Sequence, residues 1–372
     1  MIAVLNFSIG PYHLARLQGL YAVQPAFTVI EIAPVQRSHF WKAPTSTPFE
    51  CLRLAASTQE PRLAGQDLAR QVSAVLDAMQ PEVVAVVSYS HPAMRAAAVW
   101  ARHNGVPCIA QMDTTWADRR RFAGWEYLKG RWCRTYFDAL FCAGSRSAQY
   151  YAGLGFPASK IWRGYYVADN DYFAAGAAAA RDQAPQLRAA LGLPPAYFLC
   201  VARYAPEKNL SRLIAAYQRY RQGGGEWGLV LIGDGPQRQA LARQAAGVPG
   251  VQLLPWQQYE QLPAYYGLAS GFILPSLSEP WGVVVNEAMA SGLPVLLSRR
   301  CGCLPELCWK GINGYDFDPN DEPGMAQLMH TLSHSPNLAE MGAHSQEIVA
   351  HLTPHTWALA FLDCIAGSKA AP

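Results

Sequence analysis

The stretch SLSEPWGVVVNEAMASGLPV, residues 276–295, sets two acids, Glu279 and Glu287, into an otherwise apolar segment. A carboxylate only accepts hydrogen bonds, so two of them suit hydroxyl pairs such as those of a sugar and a ribose, not phosphate oxygens. Cations for an anion stand elsewhere, in VARYAPEKNLSRL, where Arg203 ends a strand pattern and Lys208 precedes a helix pattern. At a strand's carboxyl end, beside helix amides that favour negative charge, that pair fits a diphosphate. Each feature alone has a plainer reading: solvated surface charges for Arg203, Lys208 and Glu279, and a pairing within its own helix for Glu287. A glycoside hydrolase also uses two carboxylates, but its pair must flank one glycosidic bond, and that chemistry leaves both cations without a role.

Periodicity gives the elements that must position these residues. GFILPS ends a strand, LSEPWG is a turn and VVVNEAMASG is a helix stopped by Gly292, so Glu279 falls in a loop and Glu287 in the helix after it. Gly282 lets backbone amides approach a ligand closely. Upstream, Leu210, Leu213, Ile214 and Tyr217 recur at i, i+3, i+4 and i+7, an apolar stripe that faces a sheet. Strand and helix patterns alternate from IAVLNF to ALFCAG, then restart with YFLCVAR, GLVLIG, VQLLP, GFILP and PVLLS, the signature of parallel βαβ units. Alanine-rich residues 174–185 read as a linker ending at Pro185. TPHTWALAFLDCI reads as a last helix, capped by Thr353 with Pro354 at its first position. The expected fold class is α/β, with two doubly wound Rossmann-like domains facing each other across a cleft. Residues 1–175 are expected to form the first domain, 176–350 the second, and 351–372 a helix packing back toward the first. Ligands of such sheets bind outside the carboxyl ends of the strands.

Composition agrees with two cores, since 372 residues exceed the roughly 250–300 at which a single core stops growing. With 51% apolar and 15% charged residues the chain is neither disordered nor built around a polyanion-binding tail, and no nucleic-acid partner is expected. A net charge of +3 decides little. The nine cysteines are scattered in apolar runs such as YFLCVAR, which favours free thiols in a reducing cytoplasm. MIAVLNFS lacks the basic start of a signal peptide, and no window reaches the ~18 apolar residues of a membrane span, so a soluble or peripheral cytoplasmic protein is expected. CGC at 301–303 with Cys308 lacks zinc spacing; Cys301 and Gly302 read as part of the substrate-loop turn, and no metal is expected.

Together these segments resemble the retaining glycosyltransferases of the GT-B fold, family 4 type, which include many bacterial cell-surface polysaccharide enzymes. The resemblance is strongest over residues 197–318, through VARYAPEKN, LIGDGP, SEPWGVVVNEAMASGLPV and GINGYDF, and weaker in NFSIGPYHLARL and GYYVADNDYF. It implies that Arg203 and Lys208 clamp the donor diphosphate, that Glu287 holds the ribose, and that Glu279 with the amides around Gly282 and Val283 holds the sugar. Gly233 of LIGDGP and Gly10 of the first glycine loop join the implied donor site, and Arg203, Lys208 and Glu279 the implied catalytic set. LLPWQQYEQL is expected to line the base pocket. Where many members carry a His after the strand at 107–112, this chain has Asp113, which either touches sugar or acceptor or caps a helix before TWADRR. His13 and His91, ahead of helices at strand ends, are the other acceptor-side candidates, with a structural role as the alternative. The implied reaction moves a hexosyl group from a nucleotide-diphosphate sugar to a glycan or lipid-linked hydroxyl, in cell-surface polysaccharide or lipopolysaccharide synthesis, with no cofactor. A soluble small-molecule acceptor and a non-catalytic nucleotide-sugar-binding protein are the alternatives.

Residues 119–137, RRRFAGWEYLKGRWCRTYF, interleave Arg119, Arg120, Arg121, Lys129, Arg131 and Arg134 with Phe122, Trp125, Trp132 and Tyr136, against the single acid Glu126. Phe122, Trp125, Lys129 and Trp132 recur at helical spacing, which suits an anionic membrane surface as partner. The alternative is that the aromatics pack on the sheet and the cations are solvated.

Overall fold

The computed structural model describes residues 1–33, 44, 46–54, 65–119 and 121–369. Two units result. One comprises Met1–Trp116, Arg120–Val167 and Leu352–Pro372, the other Ala168–His351 with Ala117–Arg119. The division falls at 167/168 rather than 175/176, just ahead of a helix spanning Asn170–Asp182. The expected linker at 174–185 is therefore corrected: it lies within that helix and the start of the next, Ala184–Leu191. The physical reason is alanine itself, the residue with the highest intrinsic helix propensity, with Asp169 accepting from Tyr172 N as the cap.

The first unit is a seven-stranded sheet of β1 (Ile2–Asn6), β2 (Phe27–Glu31), β3 (Glu50–Arg53), β4 (Val83–Val87), β5 (Cys108–Met112), β6 (Ala139–Cys142) and β7 (Ile161–Arg163). Their order is β3-β2-β1-β4-β5-β6-β7. Every pair is parallel, with Ile2 opposite both Phe27 and Val83. The tail belongs to this unit: the helix Pro354–Lys369 packs on the helix Pro11–Val23, placing Trp357, Phe361 and Cys364 in one core with Val4 and Phe141.

The second unit holds β8 (Tyr197–Val201), β9 (Gly228–Ile232), β10 (Val251–Leu254), β11 (Gly271–Leu274), β12 (Val295–Ser298) and β13 (Gly314–Phe317), ordered β10-β9-β8-β11-β12-β13 and again wholly parallel. Helices cover both faces of such a sheet, so inner strands such as YFLCV and GLVLI are apolar throughout and fully buried. The stripe Leu210, Leu213, Ile214 and Tyr217 is buried against it on the helix Leu210–Gln222. Both strand orders reverse beside the first strand, between β1 and β4 and between β8 and β11, and the loops leaving those ends diverge into a ligand crevice.

Candidate functional site

At the β8/β11 switch of the second unit, Arg203 follows β8 and Lys208 closes a 3-10 turn, Pro206–Lys208. Asn209 then enters the left-handed region at φ 60°, a conformation Asn tolerates better than most side chains, and the helix Leu210–Gln222 begins. The Asn209 amide donates to Pro275 O at 3.1 Å and Pro319 O at 2.8 Å, so one side chain ties together the loops after β8, β11 and β13. Leu277 N donates to Glu207 O at 2.8 Å, a second tie. Across this joint Lys208 Nζ donates to Glu279 Oε2, and Ser276 Oγ donates to the same oxygen at 3.1 Å. Lys208 and Glu279 keep only 15% and 10% of their side-chain surface exposed, so the pair is largely desolvated. Removing either partner of such a pair strands the other, at a cost of about 3–5 kcal/mol. Arg203 is more open, with its Nη2 donating to Glu207 Oε1 at 2.7 Å.

Glu279 is also pinned through its backbone. It bridges to Cys301, and Gly302 N donates to its carbonyl at 2.8 Å, so the CGC turn braces the acid's loop. Gly282, at φ 98°, starts the helix Val283–Ala290, which has no side-chain cap and no acid in its first turn. The amides of that turn, Val283 first among them, form an end suited to an anion or a sugar hydroxyl. Gly233 has a packing reason of its own: at φ 156°, an added Cβ would lie 1.9 Å from Ala202 O, where the loop after β9 presses on the loop after β8.

Glu287 differs from Glu279. It has no exposed surface, and its Oε2 accepts from Tyr266 Oη at 2.6 Å. Burial, then the Glu287 charge, pushes the neighbouring Tyr259 hydroxyl well up, keeping it a protonated donor. A glycosidase needs both carboxyls at one bond, whereas here Glu279 pairs with Lys208 and Glu287 accepts from Tyr266.

In the first unit Asp113 accepts from Tyr166 Oη at 3.0 Å. It caps no helix, because the next one begins at Ala123. His91 does cap one: its Nδ1 accepts from Ala93 N at 3.3 Å ahead of the helix Pro92–His103, and its ring meets Phe7 edge-on. His13 Nδ1 accepts from Gly10 N at 3.4 Å, closing the glycine loop on the first turn of the helix Pro11–Val23. Two residues missed from the sequence hold that loop and helix. Glu31, fully buried, accepts from Ile9 N and from Arg53 Nε, each at 2.8 Å. Arg16, 3% exposed, donates to Tyr165 O at 2.8 Å and lies over the Tyr165 ring. An Arg inside an apolar helix pattern and a Glu ending an apolar strand were the available signals.

The face expected in residues 119–137 is corrected. Phe122 and Trp125 are exposed, but Lys129 and Trp132 turn inward, Lys129 donating to Tyr150 Oη at 2.9 Å and Trp132 packing on Tyr89, Tyr136 and Phe137. Arg121 is inside too, paired with the buried Glu126, which also accepts from Tyr150 Oη. Burial alone would raise the Glu126 carboxyl, but the Tyr150 hydrogen bond with the Arg121 and Lys129 charges outweighs it and holds it below the ordinary range. Arg119 is exposed, and Arg120 lies outside the described residues.

Among the described residues no group of three or more His, Cys, Asp or Glu could hold a metal. The sequence contains two Asp-x-Asp triplets, at 169–171 and 316–318, and three of their four acids have partners in the structure. Asp316 accepts from Arg299 at 2.6 Å and Asp318 from Asn320 N at 2.9 Å, while Asp169 caps its helix. No described helix is long and apolar enough to cross a membrane.

The segment that places Arg203, Lys208, Glu279 and Glu287 also decides the comparison with known proteins. Residues 184–345 match the family model "Glycosyl transferases group 1". The matched segment takes in every candidate of the second unit. Over 165 residues the chain is 31% identical to the sulfoquinovosyl transferase SQD2 of Arabidopsis thaliana, covering 43% of this chain and 31% of that protein. Over 154 residues it is 30% identical to the glycogen synthase of Mycobacterium tuberculosis, covering 41% and 37%. The matches thus span about a third of the length of either relative. Among solved structures, Alr3699/HepE of Anabaena, in complex with UDP and glucose, superposes with a TM-score of 0.76 at 16% identity over 98% of this chain and 99% of that one. The fold is therefore that of two parallel-sheet Rossmann-like domains with GT-B glycosyltransferases as structural neighbours.

Proposed function

We propose that the chain transfers a hexosyl group from a nucleotide-diphosphate sugar to an acceptor hydroxyl with retention of anomeric configuration. The observation that carries this reading is the meeting of Lys208 and Glu279 at the β8/β11 switch of a group 1 domain, beside an uncapped helix end. On donor arrival Lys208 exchanges Glu279 for a phosphate oxygen, and the freed carboxylate accepts from sugar hydroxyls. As the glycosidic C–O bond breaks, charge grows on the leaving diphosphate. Arg203, Lys208 and the helix amides stabilise it, an electrostatic contribution that is usually the largest in catalysis. Retention follows if the acceptor attacks the face that the diphosphate vacates, with the departing phosphate taking the hydroxyl proton. Glu287 is assigned to the ribose on resemblance, and its burial requires neighbouring side chains to part.

Two cations at the phosphates make a metal unnecessary to this reading, and no cofactor enters it. The acceptor we propose is a glycan or lipid-linked hydroxyl in cell-surface polysaccharide or lipopolysaccharide synthesis. The proposed workplace is the cytoplasm, peripherally at the inner face of the membrane.

Incubation with a panel of nucleotide sugars and glycan or lipid acceptors tests the reading. Nucleoside diphosphate should appear with a product whose anomeric proton coupling matches the donor's, and EDTA should leave the rate unchanged. Binding without turnover on any acceptor would make this a nucleotide-sugar-binding protein, an inverted product would remove the stated mechanism, and strict dependence on added Mg²⁺ or Mn²⁺ would overturn the division of charge.

A further inference from the structure

Among the described residues, the largest run of exposed apolar side chains lies at the start of the helix Ala123–Tyr136: Phe122 is 69% exposed, Trp125 70%, Tyr127 64% and Leu128 54%. Scattered exposed apolar residues need no explanation, but four large ones within seven positions do. The same helix changes character along its length. Its solvent face runs Gly124, Tyr127, Leu128, Arg131 and Arg134, apolar in the first half and cationic in the second, while its one acid, Glu126, is buried and paired with Arg121. At 1.5 Å per residue, Arg131 follows Trp125, and Arg134 follows Leu128, by ~9 Å along the axis. That separation matches the ~5–10 Å to which an interfacial segment buries its apolar part below the phosphates. Direction matters as well. A helix linking parallel strands runs back against them, so the tip at 122–128 lies at the edge where the strands end, the edge that carries Asp113, Tyr166 and His91.

We propose that residues 122–128 insert into an anionic lipid surface, with Arg131 and Arg134 held at its phosphates. Charge favours lipid phosphate over a protein groove, since the exposed face of the helix carries cations and no acid. The contact is made by the helix tip and not by the helix side expected from sequence, because Lys129 and Trp132 are committed inside the unit. It rests on the proposed placement at the membrane and is independent of the diphosphate reading, whose cations Arg203 and Lys208 belong to the second unit.

Co-sedimentation of the full chain with vesicles tests it, using phosphatidylcholine alone and phosphatidylcholine containing phosphatidylglycerol. The wild type should pellet with the anionic vesicles at low salt, weakly with the neutral ones, and be released at high salt. Phe122→Ser with Trp125→Ser should abolish pelleting while the melting temperature and its rise with nucleoside diphosphate stay unchanged. Arg131→Gln with Arg134→Gln should lower the partition by about thirty-fold, roughly five-fold for each cation removed. Because Arg134 also donates to Leu154 O, Arg131→Gln alone, with its roughly five-fold effect, is the control free of that contact. Wild-type protein left in the supernatant at low salt overturns the proposal and gives the patch to a protein partner, and variants that pellet like wild type overturn it equally.

Discussion

Lys208 and Glu279 pair with each other, so their variants should separate binding from stability. Arg203→Ala, which breaks only a half-exposed pair, should lower turnover by ~2–4 kcal/mol of transition-state stabilisation and leave the melting temperature close to wild type. Lys208→Ala should lower turnover as much, and melting as well, because Glu279 loses its cation in a largely desolvated place. Wild-type kcat/KM in both would remove the diphosphate assignment. Glu279→Ala should chiefly erode discrimination between the nucleotide sugar and the free nucleotide, whereas Glu287→Ala should weaken nucleotide binding itself. By stranding Tyr266 Oη, Glu287→Ala should also cost ~1–3 kcal/mol of stability. Calorimetry with both ligands checks this, and equal losses for the two variants would reject the division. The types and spacing of Arg203, Lys208, Glu279 and Glu287 were legible in sequence. Their state was not: that Lys208 holds Glu279, and that Glu287 is sealed beneath Tyr266, depends on contacts across 71 and 21 positions.

At the scale of elements, the close fit of the loops after β8 and β9 makes Gly233 a sensitive position. Gly233→Ala brings a methyl to 1.9 Å of Ala202 O and should destabilise by ~3 kcal/mol or more, read as a lower urea midpoint with unchanged slope. A wild-type midpoint would show that the loop yields, and would return Gly233 to a ligand role. The inner strands were readable because they are apolar runs buried on both faces. Three strands gave no apolar run: β3, β7 and β13, at ECLR, IWR and GYDF, all on sheet edges. An edge strand has one neighbour and a wet side, so its residues carry no continuous apolar signal. The linker expected at 174–185 failed for the opposite reason. Its alanines gave no amphipathic period, yet their propensity alone favours helix, and Ala177 and Ala180 are buried.

For the molecule as a whole, nine free cysteines, seven of them buried, predict how stability depends on pH. Burial pushes the thiols of Cys133, Cys142, Cys200 and Cys308 up to about 12 from 9.0. The folded chain therefore keeps protons that the unfolded chain releases above about pH 9, so this contribution is fully present below about pH 9 and lost as pH rises toward about 12. Thermal melts followed by circular dichroism should hold level from about pH 7 to 8.5 and fall steadily beyond, and a melting temperature flat through about pH 10.5 would contradict the buried-thiol account. The tail helix in the first unit's core, with Trp357, Phe361 and Cys364 buried, shows how far in sequence that core is drawn together.

The central claim, that the Arg203–Lys208 end of the β8/β11 switch receives a diphosphate, is tested most directly by calorimetric titration of nucleoside diphosphates, nucleoside monophosphates and free nucleosides into the wild type and Arg203→Ala. The account predicts that affinity rises steeply when the second phosphate is present, by ~2 kcal/mol or more for a charge-assisted contact, and that Arg203→Ala removes most of that increment while leaving nucleoside binding unchanged. Equal affinity for mono- and diphosphates, or an increment untouched in the variant, would contradict it.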